Sequence, residues 1–210
     1  MNLWLLIPVK SFAESKSRLS PILPDAQRVN LSRRMLERLL ETVRTVEAIS
    51  RIVVVSRDPD VLALAAAGKA ETVQERGYDL NGALDQARSR AVEEGAEAVM
   101  VLPIDLPLLT AKDIVQLCTL GRRQRTVVIA PSRDGGTNAL LLRPPHTIDF
   151  AFGVNSCQRH RDLATDAGIT SQILDSPTLA LDLDRPEDLN LLRSKGFFPA
   201  VNDLCISSDS

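Results

Sequence analysis

Apolar residues along this chain fall into short runs separated by stretches of helical spacing. Residues 3–7, 51–55, 98–102 and 126–130 are rich in Val, Ile and Leu and are closed by polar residues or Pro, as buried strands are. Between the first two runs, residues 25–46 carry Leu31, Met35 and Leu39 at helical spacing, with charges on the opposite face. Residues 60–67, 80–94 and 111–121 are further predicted helices, and Gly95 and Gly121 stand where helices stop. Strands alternating with helices predict right-handed crossovers and a mostly parallel sheet covered on both faces.

After Pro131 the order changes. Residues 138–143 and 180–184 read as strands, and 156–167 and 186–195 as helices. With no internal repeat and no linker rich in Ser, Gly or Pro, the chain reads as one α/β domain over residues 1–204, with 205–210 as a frayed tail. Aromatic residues are only 3% against 44% hydrophobic, so Leu, Val, Ile and Ala must build the core, which suits a buried parallel sheet. A formal charge of -2 argues against a nucleic-acid or membrane-surface partner. Cys118, Cys157 and Cys205 are odd in number, widely spaced and form no CxxC pair, so neither a zinc knuckle nor a disulfide framework is indicated and reduced thiols are the simpler reading. The first apolar run meets Pro8 and Lys10 too soon for a signal peptide. No apolar run approaches the roughly 20 residues that span a bilayer. A cytoplasmic protein is expected, and a homodimer is the default oligomer.

Ligands of open parallel sheets bind at the carboxyl ends of the strands. Lys10, Lys16 and Arg18 follow the first strand on one loop, where they either hold a triphosphate or form a solvated charged face. The loop has no glycine and is neither a P-loop nor a dinucleotide fingerprint. Asp105 follows the strand at 98–102 among Pro103, Leu106 and Pro107, either as a ligand for a metal ion or as a helix cap or turn residue ahead of Thr110. Asp182 and Asp184 flank Leu183 and would share one face of a strand, able to converge on magnesium, although Asp184 can instead cap the helix begun by Pro186.

Three further segments admit two readings each. Asp134-Gly135-Gly136-Thr137-Asn138 is a tight turn, or a set of donors (Thr137 and the glycine amides) for an anionic substrate. Gly153 and Ser156 precede a helix whose N-terminus suits a phosphate or carboxylate, with Ser156 as the expected N-cap and His160 either facing the ligand or structural. Asn81 and Gly82 either begin a helix or contact a base or ribose, and Cys157 reads as a buried thiol.

Taken in order, these segments resemble the guanylyltransferases of coenzyme F-420 biosynthesis. The resemblance is carried by Pro8-Val9-Lys10 with Ser15-Lys16-Ser17-Arg18-Leu19, by Leu80-Asn81-Gly82-Ala83-Leu84, and by Pro103-Ile104-Asp105-Leu106-Pro107. It continues through Asp134-Gly135-Gly136-Thr137-Asn138, Phe152-Gly153 with Ser156 and His160, and Leu181-Asp182-Leu183-Asp184 with Pro186. It spans nearly the whole chain. It implies a variant Rossmann-like three-layer sandwich of the nucleotide-diphospho-sugar transferase type. It also implies a Mg2+-dependent reaction in which GTP donates GMP to a small phosphorylated three-carbon acid, phosphoenolpyruvate or 2-phospho-L-lactate. The product would pass to a downstream transferase of the same pathway.

On that resemblance Asp105 and Lys16 are catalytic; Pro8, Lys10, Lys16, Arg18, Asn81 and Gly82 bind the nucleotide. Thr137, Gly153 and Ser156 bind the acceptor, and Asp105, Asp182 and Asp184 hold the metal. Val154-Asn155 departs from the Pro and Gly of the family's anion loop. Two alternatives stand beside this reading. One is a cytidylyl- or molybdopterin-type nucleotidyltransferase of the same fold. The other is a non-catalytic nucleotide-binding protein, against which the retained carboxylates argue.

Overall fold

The computed structural model describes residues 1–77 and 79–194. The expected tail at 205–210, the end of the domain to 204 and the helix end at Lys195 lie outside the described residues. The strands are β1 (Leu3–Pro8), β2 (Arg51–Ser56), β3 (Glu71–Gln74), β4 (Ala98–Val101), β5 (Thr126–Pro131), β6 (Thr137–Arg143) and β7 (Gln172–Ile173). The helices are α1 (Asp25–Arg44), α2 (Pro59–Ala67), α3 (Leu80–Glu93), α4 (Ala111–Leu120), α5 (Ser156–Asp166) and α6 (Pro186–Ser194).

These strands form one sheet in the order β3-β2-β1-β4-β6-β5-β7. Strands β3, β2, β1 and β4 are parallel neighbours; β6 is antiparallel to both β4 and β5, and β7 is parallel to β5. Strand β6 alone among the described strands therefore runs against the others. Successive side chains of β1 alternate between the faces. Leu3, Leu5 and Ile7 join a core with Leu36, Leu40, Ile114 and Leu117 of α1 and α4. Trp4 and Leu6 join a second core with Leu84 and Ala87 of α3 and Ala164 of α5. All five are fully buried, so both faces are covered and the layers are helix, sheet, helix. No helix among the described residues is long and apolar enough to cross a membrane.

The predicted helices all form, and Gly121 closes α4 as expected. Residues 180–184 are a correction: they join no sheet. Their backbone is instead tied down at two points, where Arg133 N donates to Ala180 O at 3.2 Å and Leu183 N to Asp105 O at 2.9 Å. Strands β3 and β7 went unpredicted. One is four residues of mixed polarity and the other two residues, too short for periodicity to register.

Candidate active site

The loop after β1 is fixed at two points. Asp58, ahead of α2, accepts from Ser11 Oγ at 2.8 Å and Phe12 N at 3.0 Å, while its other oxygen caps α2 through Asp60 N at 2.9 Å. Burial pushes this carboxyl up, but the bonds from Ser11 and Phe12 outweigh it and hold the pKa below the ordinary carboxylate value. Further along, buried Arg28 donates to Ser15 O at 3.2 Å and pairs with Asp25 at 2.6 Å. Between these anchors Lys16 takes a left-handed backbone, φ 56 and ψ 30. For a side chain with a Cβ this costs on the order of 1–2 kcal/mol and persists only where the surroundings enforce it. Its side chain is 4% exposed, and Nζ lies 3.1 Å from Asp105 Oδ2 and 3.4 Å from Asp184 Oδ1. Arg18 Nη1 reaches Asp184 Oδ2 at 2.8 Å.

The acidic segment is laid beside Asp105 by its backbone and its leucines. Leu181 and Leu183 are buried with Leu19, Leu31 and Leu108, while Asp182 and Asp184 are half-buried. The Asp182 carboxyl is pushed up by burial first, then by the charges of Asp105, Asp134 and Asp184. Neither helix-cap alternative holds. Asp188, not Asp184, accepts from the Asp184 and Arg185 amides at 3.1 and 2.8 Å, and Thr110 with Asp113 caps α4. Among the described residues no three His, Cys, Asp or Glu side chains are grouped as a metal cage. Lys16 stands between two of the three carboxylates instead.

Upstream, buried Asp113 anchors the chain that delivers this segment, accepting from Ser176 Oγ at 2.7 Å and Thr178 Oγ1 at 2.6 Å. Asn138 Nδ2 adds a bond to Leu179 O at 2.8 Å. Asp58, Arg28 and Asp113 were not singled out from sequence, because positioning through a backbone contact leaves no motif.

A cleft of about 440 Å³ opens at the carboxyl ends of β1 to β4. Pro8, Lys10, Lys16, Arg18, Asp105 and Asp184 line it, which resolves the basic loop as a cleft wall. Arg57 and Glu75 also line it. Both follow strand ends directly, a signal available for Arg57 but hidden for Glu75 by the unrecognised β3. Asn81 and Gly82 are not part of the lining. The Asn81 amide is committed to Phe152, donating to its carbonyl at 3.2 Å and accepting from its amide at 2.8 Å. Gly82 N donates to Asp79 at 3.0 Å, so Asp79 caps α3.

The acceptor candidates gather around α5. Asn155, with φ 55, occupies the N-cap position, and Ser156 is the first helical residue, buried, its amide donating to Gly153 O at 3.1 Å. Cys157 N donates to Gly135 O at 3.2 Å and so ties this loop to the turn before β6. The glycine amides of that turn are spent internally: Gly136 N donates to Ser132 Oγ at 2.7 Å and Gly135 N to Ser132 O at 3.3 Å. Only Thr137 remains as a side-chain donor there. His160 is fully buried with Nδ1 3.0 Å from Thr137 Oγ1, and Nε2 accepts from Ala151 N at 3.0 Å. Burial, with a smaller push from the Arg159 charge, lowers its pKa to about 4. It is a neutral structural imidazole, not a ligand-facing base.

Residues 3–196 match the family model described as "Guanylyl transferase CofC like". The phosphoenolpyruvate guanylyltransferase of Rubrobacter xylanophilus is 39% identical over 197 residues, covering 93% of this chain and 96% of that one. The 2-phospho-L-lactate guanylyltransferase of Methanothermobacter thermautotrophicus is 36% identical over 190 residues, covering 90% and 83%. Among solved structures, a protein of Desulfovibrio desulfuricans G20 classed with the nucleotide-diphospho-sugar transferases superposes with a TM-score of 0.76 at 18% identity, covering 93% and 88%. That likeness fixes the fold.

Proposed function

The chain belongs to the CofC-like guanylyl transferase family, and on that footing we propose that it condenses GTP with phosphoenolpyruvate, releasing diphosphate. The observation that carries this reading is the buried Lys16 ammonium between Asp105 and Asp184 at the mouth of a cleft that Lys10 and Arg18 also line. Cations and carboxylates interleaved at one strand edge suit a polyphosphate that arrives with its counter-ion.

An oxygen of the acceptor's phosphate attacks the α-phosphorus of GTP in line; a new P–O bond forms, the bond to the β-phosphate oxygen breaks, and diphosphate departs. The attacking oxygen is already ionised at neutral pH, so the protein need supply no strong base. It supplies position and charge balance. Lys10, Lys16 and Arg18 neutralise the triphosphate, and Pro8 forms the wall beside them. Thr137, Gly153 and Ser156 hold the acceptor's carboxylate and phosphate. Asn81 acts on this group through Phe152, whose backbone it holds.

The donor set suits Mg2+. Asp105 and Asp184 already share one positive charge, and Asp182 adjoins them with a carboxyl whose pKa is raised in part by theirs. These residues would hold the ion together with phosphate oxygens of the substrates, because magnesium takes few protein ligands in such sites. A bound ion would draw charge from the phosphate oxygens and make the phosphorus a better electrophile. Cys118 and Cys157 are free thiols, in keeping with the reducing cytoplasm. The diphosphate-linked guanosine product would pass to a downstream transferase of coenzyme F-420 biosynthesis.

The test is diphosphate release from GTP and Mg2+ with phosphoenolpyruvate and 2-phospho-L-lactate offered separately, each with and without the downstream transferase to consume the product. Release with phosphoenolpyruvate supports the reading as stated. Release only with 2-phospho-L-lactate keeps guanylyl transfer and changes the acceptor. Release with neither, while another nucleotide is turned over, overturns it.

A further inference from the structure

At the end of the cleft away from the carboxylates, two charged residues have no part in the chemistry above. Arg57 follows β2 and Glu75 follows β3, and both face the cleft. Glu75 is held in place by its backbone, whose amide donates to Ser56 O at 2.8 Å. Its side chain is 8% exposed, and Arg57 Nη2 lies 3.5 Å from Oε1. That is a loose pair, and Oε2 has no hydrogen-bond partner among the described residues. The neighbouring walls, Val55, Leu80 and Ala83, are apolar. Asp79, also in the lining, is engaged in capping α3.

We propose that Glu75 and Arg57 read the base of the nucleotide donor, Glu75 accepting from guanine N1–H and N2–H and Arg57 donating to O6 and N7. This rests on the reading of the donor as GTP. The sheet order places the strand ends in the sequence β3, β2, β1, β4, so Glu75, Arg57, the basic loop and Asp105 follow one another along the edge. At about 4.8 Å between neighbouring strands, β3 and β4 stand roughly 14 Å apart. That span accommodates base, ribose and α-phosphate end to end, with the base at the β3 end.

The polar pattern then selects the base. Around guanine the edge atoms run N2, N1, O6, N7: two donors, then two acceptors. A carboxylate only accepts and a guanidinium only donates, so the adjacent pair matches that order. Adenine sets an acceptor, N1, against the carboxylate and a donor, N6, against the guanidinium, and is mismatched at both. The apolar walls suit the faces of a purine and add no base preference.

The experiment compares GTP, inosine triphosphate and ATP as donors, by turnover and, with Mg2+ present, by calorimetric binding. Inosine triphosphate differs from GTP only in lacking the N2 amino group. The wild-type protein is expected to prefer GTP over inosine triphosphate by about 10- to 100-fold, the worth of one hydrogen bond to a charged acceptor. Glu75→Gln should collapse that ratio to within about threefold, leaving the KM of the acid unchanged. Arg57→Gln, at a side chain 43% exposed, should weaken GTP and inosine triphosphate alike and keep their ratio. Thermal melting confirms that each variant folds. A Glu75→Gln protein that keeps the wild-type ratio, or an Arg57→Gln protein unchanged toward both donors, overturns the proposal. Base preference in binding without turnover would sink the transferase reading and leave this one standing; a wild-type protein that binds no GTP sinks both.

Discussion

His160 Nδ1 and Thr137 Oγ1 lie 3.0 Å apart in the interior, and the direction of that bond is set on the far side of the ring. Ala151 N donates to Nε2 at 3.0 Å, so Nε2 carries no proton and Nδ1 must. The imidazole therefore donates to Thr137, and the hydroxyl keeps its own proton for another acceptor. His160 thus makes Thr137 a donor, which is what a carboxylate or phosphate requires of it.

Thr137→Val removes that donor at constant shape. The KM of the phosphorylated acid should rise about 10- to 100-fold, with the KM of GTP within about twofold of wild type. The same change leaves the buried Nδ1–H unpaired and should cost about 1–3 kcal/mol in urea unfolding. Thr137→Ser should restore both. Steady-state kinetics that showed the GTP term moving instead would assign Thr137 to the wrong substrate.

The imidazole also makes stability depend on pH. Its folded pKa is about 4 against 6.5 in the unfolded chain, so between these values the unfolded state binds the extra proton. Stability on this account is complete above pH 6.5 and falls as pH drops toward 4. From pH 6.5 to 5 the loss should reach about 2 kcal/mol, and His160→Gln should lack that part of the slope. Urea titrations of both proteins across the range read it directly; parallel slopes would exclude His160 as the titrating group.

Much of the fold was legible because β1, β2, β4 and β5 are apolar runs with no competing pattern. What failed, failed locally. Residues 180–184 alternate apolar and polar as a strand does, but the alternation records Leu181 and Leu183 docking under α1, α6 and the basic loop. The Asn81 amide fits the Phe152 backbone, a partner 71 residues away that spacing cannot reveal. Lys16 was legible as a cation at the right edge, while its left-handed backbone and burial between two carboxylates follow from Asp58 and Arg28 elsewhere in the chain.

Asp105→Asn separates charge from shape at the centre of the site. The Asp105 side chain is 26% exposed, and among the described residues its one side-chain partner is Lys16, which retains Asp184. Folding should therefore be little affected, with melting within a few degrees of wild type. Turnover should fall by about 10²–10³-fold, because a carboxylate aimed at the transferring phosphate has been lost. In a companion test, raising Mg2+ should rescue part of the deficit if ion affinity has dropped. Wild-type turnover in this variant would remove Asp105 from the chemistry and with it the transferase assignment.

Asp113 should prove a support for the site, not a member of it. It is buried, takes the Thr110 amide at 2.9 Å, and gathers the hydroxyls of Thr110, Ser176 and Thr178. Burial pushes its carboxyl up, but the bonds from Thr110, Thr178 and Ser176 outweigh that and keep the pKa below the ordinary value. Asp113→Ala loses the N3 half of the capping box and leaves the Ser176 and Thr178 hydroxyls only each other as partners among these groups, for about 2–3 kcal/mol of stability. Asp113→Asn, which can still accept on one oxygen, should lose roughly half as much. Since the folded pKa is lowered, the wild-type advantage is complete above pH 3.8 and shrinks as pH falls below it. The functional consequence should be confined to kcat, because the bonds that Asp113 makes order the approach to Asp184 and touch neither the base end of the cleft nor Thr137. A variant as stable as wild type, or one whose loss fell on the KM of the acid, would show that the 176–184 segment holds its place without Asp113.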